Sequence, residues 1–99
     1  MRQIPKRVMI VSFDAVGAKD LEYLQTLPNF QRFFEQAALC SHVNSVCPSL
    51  TYPAHTSIVT GRMPKNHGIV NNTKIQPGRK DPDWLYHRKW IRSTTLYDE

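Results

Sequence analysis

Cysteine is nearly absent: Cys40 and Cys47 are the only two in 99 residues. They stand seven apart and form no CxxC, so two thiols alone build neither a disulfide framework nor a zinc shell. Free cysteines of this sort are expected to be buried, small apolar side chains, and so sparse a use points to a reducing, cytoplasmic setting. Glycine is also scarce. Gly17, Gly61, Gly68 and Gly78 are widely separated, which excludes a glycine-rich phosphate loop. The four histidines form no HxH or HExxH pattern. No apolar run approaches the length needed to cross a bilayer, so no membrane partner is expected. The basic start MRQIPKR leads into an apolar stretch, but Val8 to Phe13 is too short for a secretory core and ends at Asp14. Repeats and low-complexity tracts are missing.

What is present fits one small ordered domain. Forty per cent of the residues are hydrophobic, and two Trp, four Tyr and four Phe argue against disorder. The net charge is +5, but the basic residues are scattered apart from 79–80 and 88–92. Blocks this short read as a solvated face, and no nucleic-acid partner is predicted.

Val8-Met9-Ile10-Val11-Ser12-Phe13 is a nearly continuous apolar run, expected as a strand covered on both faces in a parallel sheet. Leu21, Leu24 and Leu27 give a helical stripe. Pro28 is well placed to open a second helix, whose face is Phe30, Phe33, Phe34 and Ala37. Leu39 to Val46 alternates and predicts another strand. Pro53 to Thr60 predicts a short helix with Gly61 as its stop. RMPKNHG reads as turns, IVNNTKI as a short strand or edge segment, and QPGRKDPD as a loop. Trp84 to Ile91 fits no single element. Thr95 and Asp98 are spaced as a capping box at the start of a helix that one turn alone would not nucleate. The alternation of elements argues for an α/β fold.

Three places carry chemistry. Asp14 follows the first predicted strand, where α/β sheets gather ligands. An acid capping its own turn is the simpler reading of its position. PSLTYPAHTSIVTG, residues 48–61, crowds six hydroxyl side chains around a Thr-Tyr-Pro step. Proline disfavours helical backbone at Tyr52, which leaves Thr51 at the mouth of the following helix. There it serves either as an N-cap or as a hydroxyl beside an anion site. His55 and His67 flank the helix and read as hydrogen-bonded structural residues.

VMIVSFDAVG, LPNFQRFFEQA, PSLTYPAHTSIVTG and PKNHGIVNN, in that order, resemble the N-terminal part of type I phosphodiesterase/nucleotide pyrophosphatase proteins of the alkaline phosphatase superfamily. The resemblance covers about residues 7 to 99. It implies the first part of a three-layer α/β/α sandwich with a mostly parallel sheet, with residues 1–99 forming the N-terminal segment of one longer catalytic domain. It implies that Asp14 is a metal ligand, and that Thr51 is both nucleophile and metal ligand. It implies that Asn72 contacts a phosphoryl oxygen. The cofactors implied are two divalent metal ions, zinc in the first place and manganese as the alternative. The implied substrate is a phosphate ester or nucleotide, cleaved through a phospho-threonine.

Two departures stand out. Ala54 occupies the position where nucleotide pyrophosphatases commonly have Asn, which bears on nucleotide specificity. The family's other metal ligands lie downstream and are not in these residues, so the segment alone is expected to be inactive. Exposed half-sheet edges would favour self-association. The competing readings are a non-catalytic binding module of the same fold, and a phosphonate hydrolase or phosphotransferase of the same superfamily. A sulfatase reading fails, because Pro48 directly follows Cys47 and no Cys-x-Pro-x-Arg is present.

Overall fold

The computed structural model describes residues 7–98. They fall into two compact units, Met1–Val43 and Asn44–Glu99.

The first unit is helical. A 3-10 turn, Ala18–Asp20, runs into α1, Leu21–Thr26, and α2 follows at Pro28–Phe34. Asp20 starts the turn by accepting the Gly17 N–H on Oδ2 at 2.8 Å. The break between the helices comes from Pro28. It disfavours helical backbone at Leu27, which sits at φ −83° and ψ 126°. Phe30 meets Phe34 one turn on, with ring centroids 6.1 Å apart, and meets Phe13 at 6.0 Å. Yet no described residue of this unit is buried.

Neither expected strand forms. Val8–Phe13 and Leu39–Val46 carry no ladder, and no strand occurs among the described residues. Val8 is 80% exposed and Met9 86%. A run rich in β-branched residues suits a sheet, but extended backbone becomes a strand only where a partner takes its N–H and C=O groups. The expected burial of the thiols fails as well, since Cys40 and Cys47 are both exposed.

The second unit holds the core. α3, Thr51–Thr60, packs on the short α4, Pro64–His67. RMPKNHG is therefore more than turns: Pro64 opens α4 and Gly68, at φ 82°, ends it. Gly61 stops α3 as expected, at φ 64°. Ile69, Pro53 and His67 are the largest fully buried side chains. Burying an isoleucine contributes about 1.5–3 kcal/mol, so the core is small.

The IVNNTKI segment gives one antiparallel bridge, Thr73 to Trp84. The Lys74 N–H donates to the Asp83 carbonyl and the Leu85 N–H to the Asn72 carbonyl, both at 2.8 Å. QPGRKDPD closes this pairing as a loop, turning at Gly78 with φ 79°. Arg88–Trp90 is a 3-10 turn. Half of the Thr95–Asp98 box forms: the Thr95 N–H donates to Asp98 Oδ2 at 2.6 Å, but the Asp98 N–H goes to the Thr95 carbonyl instead of its hydroxyl, and only a turn follows.

Candidate functional site

α3 begins two residues earlier than expected. Leu50 is its N-cap, at φ −119° and ψ 158°, so Thr51, Tyr52 and Pro53 form the first helical turn. Tyr52 is thus helical despite the following proline. That proline costs the helix nothing here, because the first-turn N–H groups have no intrahelical acceptor. The first intrahelical bond runs from the Ala54 N–H to the Leu50 carbonyl, at 3.0 Å. Thr51 is therefore not the cap, and the cap position offers no side-chain hydrogen bond. The half-buried Thr51 hydroxyl has no hydrogen-bond partner among the described residues.

Asn72 comes to this helix mouth from twenty residues away. The Tyr52 N–H donates to Asn72 Oδ1 at 2.8 Å. A backbone N–H requires an acceptor, so this bond decides which end of the carboxamide is oxygen. The Nδ2 group, with its two donors, is the other end. Pro53 has no N–H and the Tyr52 N–H is used. Thr51 thus keeps the one first-turn N–H of α3 without a partner among the described residues. The helix end, with its partial positive charge, is extended by the Asn72 amide. Accepting at Oδ1 polarises that amide and makes Nδ2 the better donor.

Asn72 itself is fixed. Its N–H donates to Asn71 Oδ1 at 2.9 Å, and its carbonyl accepts from Leu85. An open recess of about 230 Å³ runs along Tyr52 and His55, walled by Leu85, Tyr86 and His87. The Tyr52 ring meets Trp84 edge-on, with centroids 5.8 Å apart.

Both histidines are hydrogen-bonded within the fold. His55 Nδ1 donates to the Thr51 carbonyl at 2.9 Å, one turn back along α3. His67 has no exposed surface. Its Nδ1 accepts the Ile69 N–H at 3.1 Å, and its Nε2 faces Ser57 Oγ at 2.9 Å. Burial holds its pKa below the ordinary histidine value, against the opposing effect of a hydrogen bond to the Pro53 backbone. The neutral ring thereby ties α4 to α3.

Asp14 lies in the first unit and is exposed. Its Oδ1 accepts the Ala15 N–H at 3.0 Å, and Ala15 has φ 60°, a left-handed conformation that disfavours alanine. Among the described residues no three His, Cys, Asp or Glu side chains converge as a metal shell. Thr51 and Asn72 are thus brought to one helix mouth. Tyr52, which joins them through its backbone, was missed because an N–H leaves no trace in the side-chain pattern.

A family model described as type I phosphodiesterase / nucleotide pyrophosphatase matches residues 8–99. The bis(5′-adenosyl)-triphosphatase of Mus musculus is 37% identical over 89 residues, covering 79% of this chain and 19% of that protein. The human ectonucleotide pyrophosphatase/phosphodiesterase family member 5 is 34% identical over 98 residues, covering 93% and 20%. A pyrophosphatase/phosphodiesterase of Schizosaccharomyces pombe is 34% identical over 89 residues, covering 78% and 18%. The chain spans about a fifth of the length of these relatives. No solved structure matches it. With four ordered motifs inside the matched range, the chain belongs to the type I phosphodiesterase/nucleotide pyrophosphatase family.

Proposed function

We propose that this chain is the N-terminal segment of a metal-dependent hydrolase of phosphodiesters or nucleotide pyrophosphates, with Thr51 as its nucleophile and Asn72 as a phosphoryl contact. The observation that carries this reading is the Tyr52 N–H bond to Asn72 Oδ1. It sets the Asn72 amide donors at the helix turn that bears the Thr51 hydroxyl. A phosphoryl oxygen at the α3 mouth would meet the Thr51 N–H and the Asn72 Nδ2 group. Donors held this way by the fold would need no reorganisation when substrate arrives. Attack would form a bond from Thr51 Oγ1 to phosphorus and break the ester bond to the leaving group; the hydroxyl proton would pass, directly or through solvent, to the departing oxygen, leaving a phospho-threonine and a free alcohol or nucleotide.

The described residues do not by themselves fit two divalent ions. Asp14 and Thr51 are two oxygen donors, and no cluster of three ligating side chains accompanies them. Zinc or manganese would need ligands from further chain. The same further chain would supply the sheet partners of Val8–Phe13 and complete the α/β/α sandwich.

Two experiments test the reading. The purified 99-residue chain is expected not to hydrolyse bis(p-nitrophenyl) phosphate, with or without zinc. Robust metal-stimulated cleavage that Thr51→Ala abolishes would overturn its status as an incomplete segment. A longer product of the same gene should retain metal and, after rapid quenching with substrate, yield a phosphopeptide containing Thr51. A folded, metal-free product with no phosphate affinity would instead make this a binding module.

A further inference from the structure

We propose that Asp83 is a positioning residue for Asn72, an inference that rests on reading Asn72 as a phosphoryl contact. Asp83 makes an unusual number of bonds for one exposed-loop acid. Its carboxylate accepts from Lys74 Nζ and Gln76 Nε2, each at 3.2 Å, and from Arg79 Nη2 at 2.9 Å. Its N–H donates to Gln76 Oε1 and its carbonyl accepts from the Lys74 N–H, both at 2.8 Å. One residue thus closes the loop from Lys74 to Asp83 through both its backbone and its side chain.

The next two residues deliver this closure to the site. Trp84 bridges to Thr73, and its ring meets Tyr52. Leu85 donates to the Asn72 carbonyl. Asn72 is held at its N–H, its carbonyl and its Oδ1, and the last two holds depend on where residues 84–85 lie. A one-residue slip in the pairing would turn Trp84 to the other face and release Tyr52. Exposed ion pairs contribute little stability, so the carboxylate matters here for register. Lys74, at 4.5 Å over the Trp90 ring, is held from a second side and cannot follow a displaced Asp83 freely.

The test is proton–nitrogen NMR of the 99-residue chain, read at the Asn72 carboxamide, the Tyr52 and Leu85 amides, and the His67–Ile69 core. Asp83→Asn removes the charge that binds Lys74 and Arg79 while keeping the size. It is expected to move the Asn72 carboxamide resonances and to speed exchange of the Tyr52 and Leu85 amides about tenfold, with the His67–Ile69 resonances unchanged. Asp83→Glu is expected to restore the Asn72 resonances. Arg79→Ala and Lys74→Met each remove one donor. They should move Asn72 the same way by less, which keeps the test open if Asp83→Asn unfolds. An Asn72 carboxamide that stays at its wild-type position in all these variants overturns the proposal.

Titration with inorganic phosphate separates this inference from the reading beneath it. In the wild-type chain phosphate should shift the Asn72 Nδ2 protons, and Asp83→Asn should weaken that response about tenfold. No response in the wild type would overturn the phosphoryl role, while the carboxamide shifts still decide the positioning link. Equal responses in both chains would overturn the positioning link and leave the phosphoryl role standing.

Discussion

The Tyr52 N–H and the Asn72 Oδ1 are 2.8 Å apart, and this bond joins a helix mouth to a loop twenty residues later. It gives the two ends of one carboxamide separate duties. Oδ1 satisfies the helix, and Nδ2 is left for an anion. Substitutions can part them. Asn72→Asp keeps an acceptor for Tyr52 but sets a negative charge where phosphate would sit. Asn72→Ala removes both ends. Urea titration should show Asn72→Ala costing about 1 kcal/mol, because it orphans a half-buried N–H, with Asn72→Asp within about 0.5 kcal/mol of wild type. The order should reverse for inorganic phosphate followed by NMR: Asn72→Ala weakens the response, and Asn72→Asp abolishes it. The same order in both measurements would remove the divided role.

Thr51 gives a prediction opposite to its most ordinary sequence reading. An N-cap threonine replaced by alanine typically costs about 1 kcal/mol. Here Leu50 is the cap, and the Thr51 hydroxyl holds no bond among the described residues. Thr51→Ala should therefore shift the urea midpoint by less than about 0.5 kcal/mol. A loss near 1 kcal/mol would return Thr51 to a capping role.

Proline and glycine made some helix boundaries legible but not all: α4, opened by Pro64 and ended by Gly68, reads from the sequence as turns. Pro28 and Gly61 mark boundaries that the structure keeps, because both act through local backbone sterics. Pro53 misled by two residues. Its restriction on Tyr52 is real, but a first turn that packs beneath Asn72 overrides it. The strands at Val8–Phe13 and Leu39–Val46 were read from apolar pattern alone, and pattern cannot supply a partner. Asp14 and Thr51 were singled out by position, whereas Asn72 came from the resemblance. The Tyr52 N–H bond to Asn72 spans twenty residues, and Leu85 holds Asn72 through backbone groups alone. No local spacing encodes them.

His67 makes stability depend on pH with a definite sign. Its ring is held neutral in the fold, with Nδ1 accepting from Ile69, and its pKa lies below the ordinary value near 6.5. The unfolded chain therefore binds a proton first as pH falls. The contribution is complete above the ordinary histidine value and is lost as pH drops below it toward the folded pKa. Asp83 and Asp98 are both held below the ordinary carboxylate value, chiefly by hydrogen bonds from Lys74 and Arg88 respectively. Their effect runs in the same direction but falls in a more acidic window. Urea midpoints should be flat above neutrality and decline below it. His67→Leu should be less stable by about 2 kcal/mol, since it orphans the Ile69 N–H, and should show no decline in the histidine window. A decline of wild-type size in His67→Leu would assign the pH dependence elsewhere.

The two helix-ending glycines should differ in their tolerance of alanine, and the reason lies in one neighbour. Gly61 has φ 64°, and a Cβ built there meets nothing within 4 Å. Gly61→Ala therefore bears only the left-handed backbone cost, about 1 kcal/mol. Gly68 has φ 82°, and its Cβ would lie 3.0 Å from Arg92 Cδ and 3.3 Å from Cγ. The outer guanidinium could swing aside, but Cγ is near an anchored backbone, because the Arg92 N–H donates to the His67 carbonyl at 2.9 Å. Gly68→Ala should cost more than Gly61→Ala in urea titration. Adding Arg92→Ala should bring it back toward the Gly61→Ala value. The two changes touch one another, so a double-mutant cycle should show a coupling of about 0.5 kcal/mol or more. Additive costs would mean that backbone conformation alone sets the penalty at Gly68.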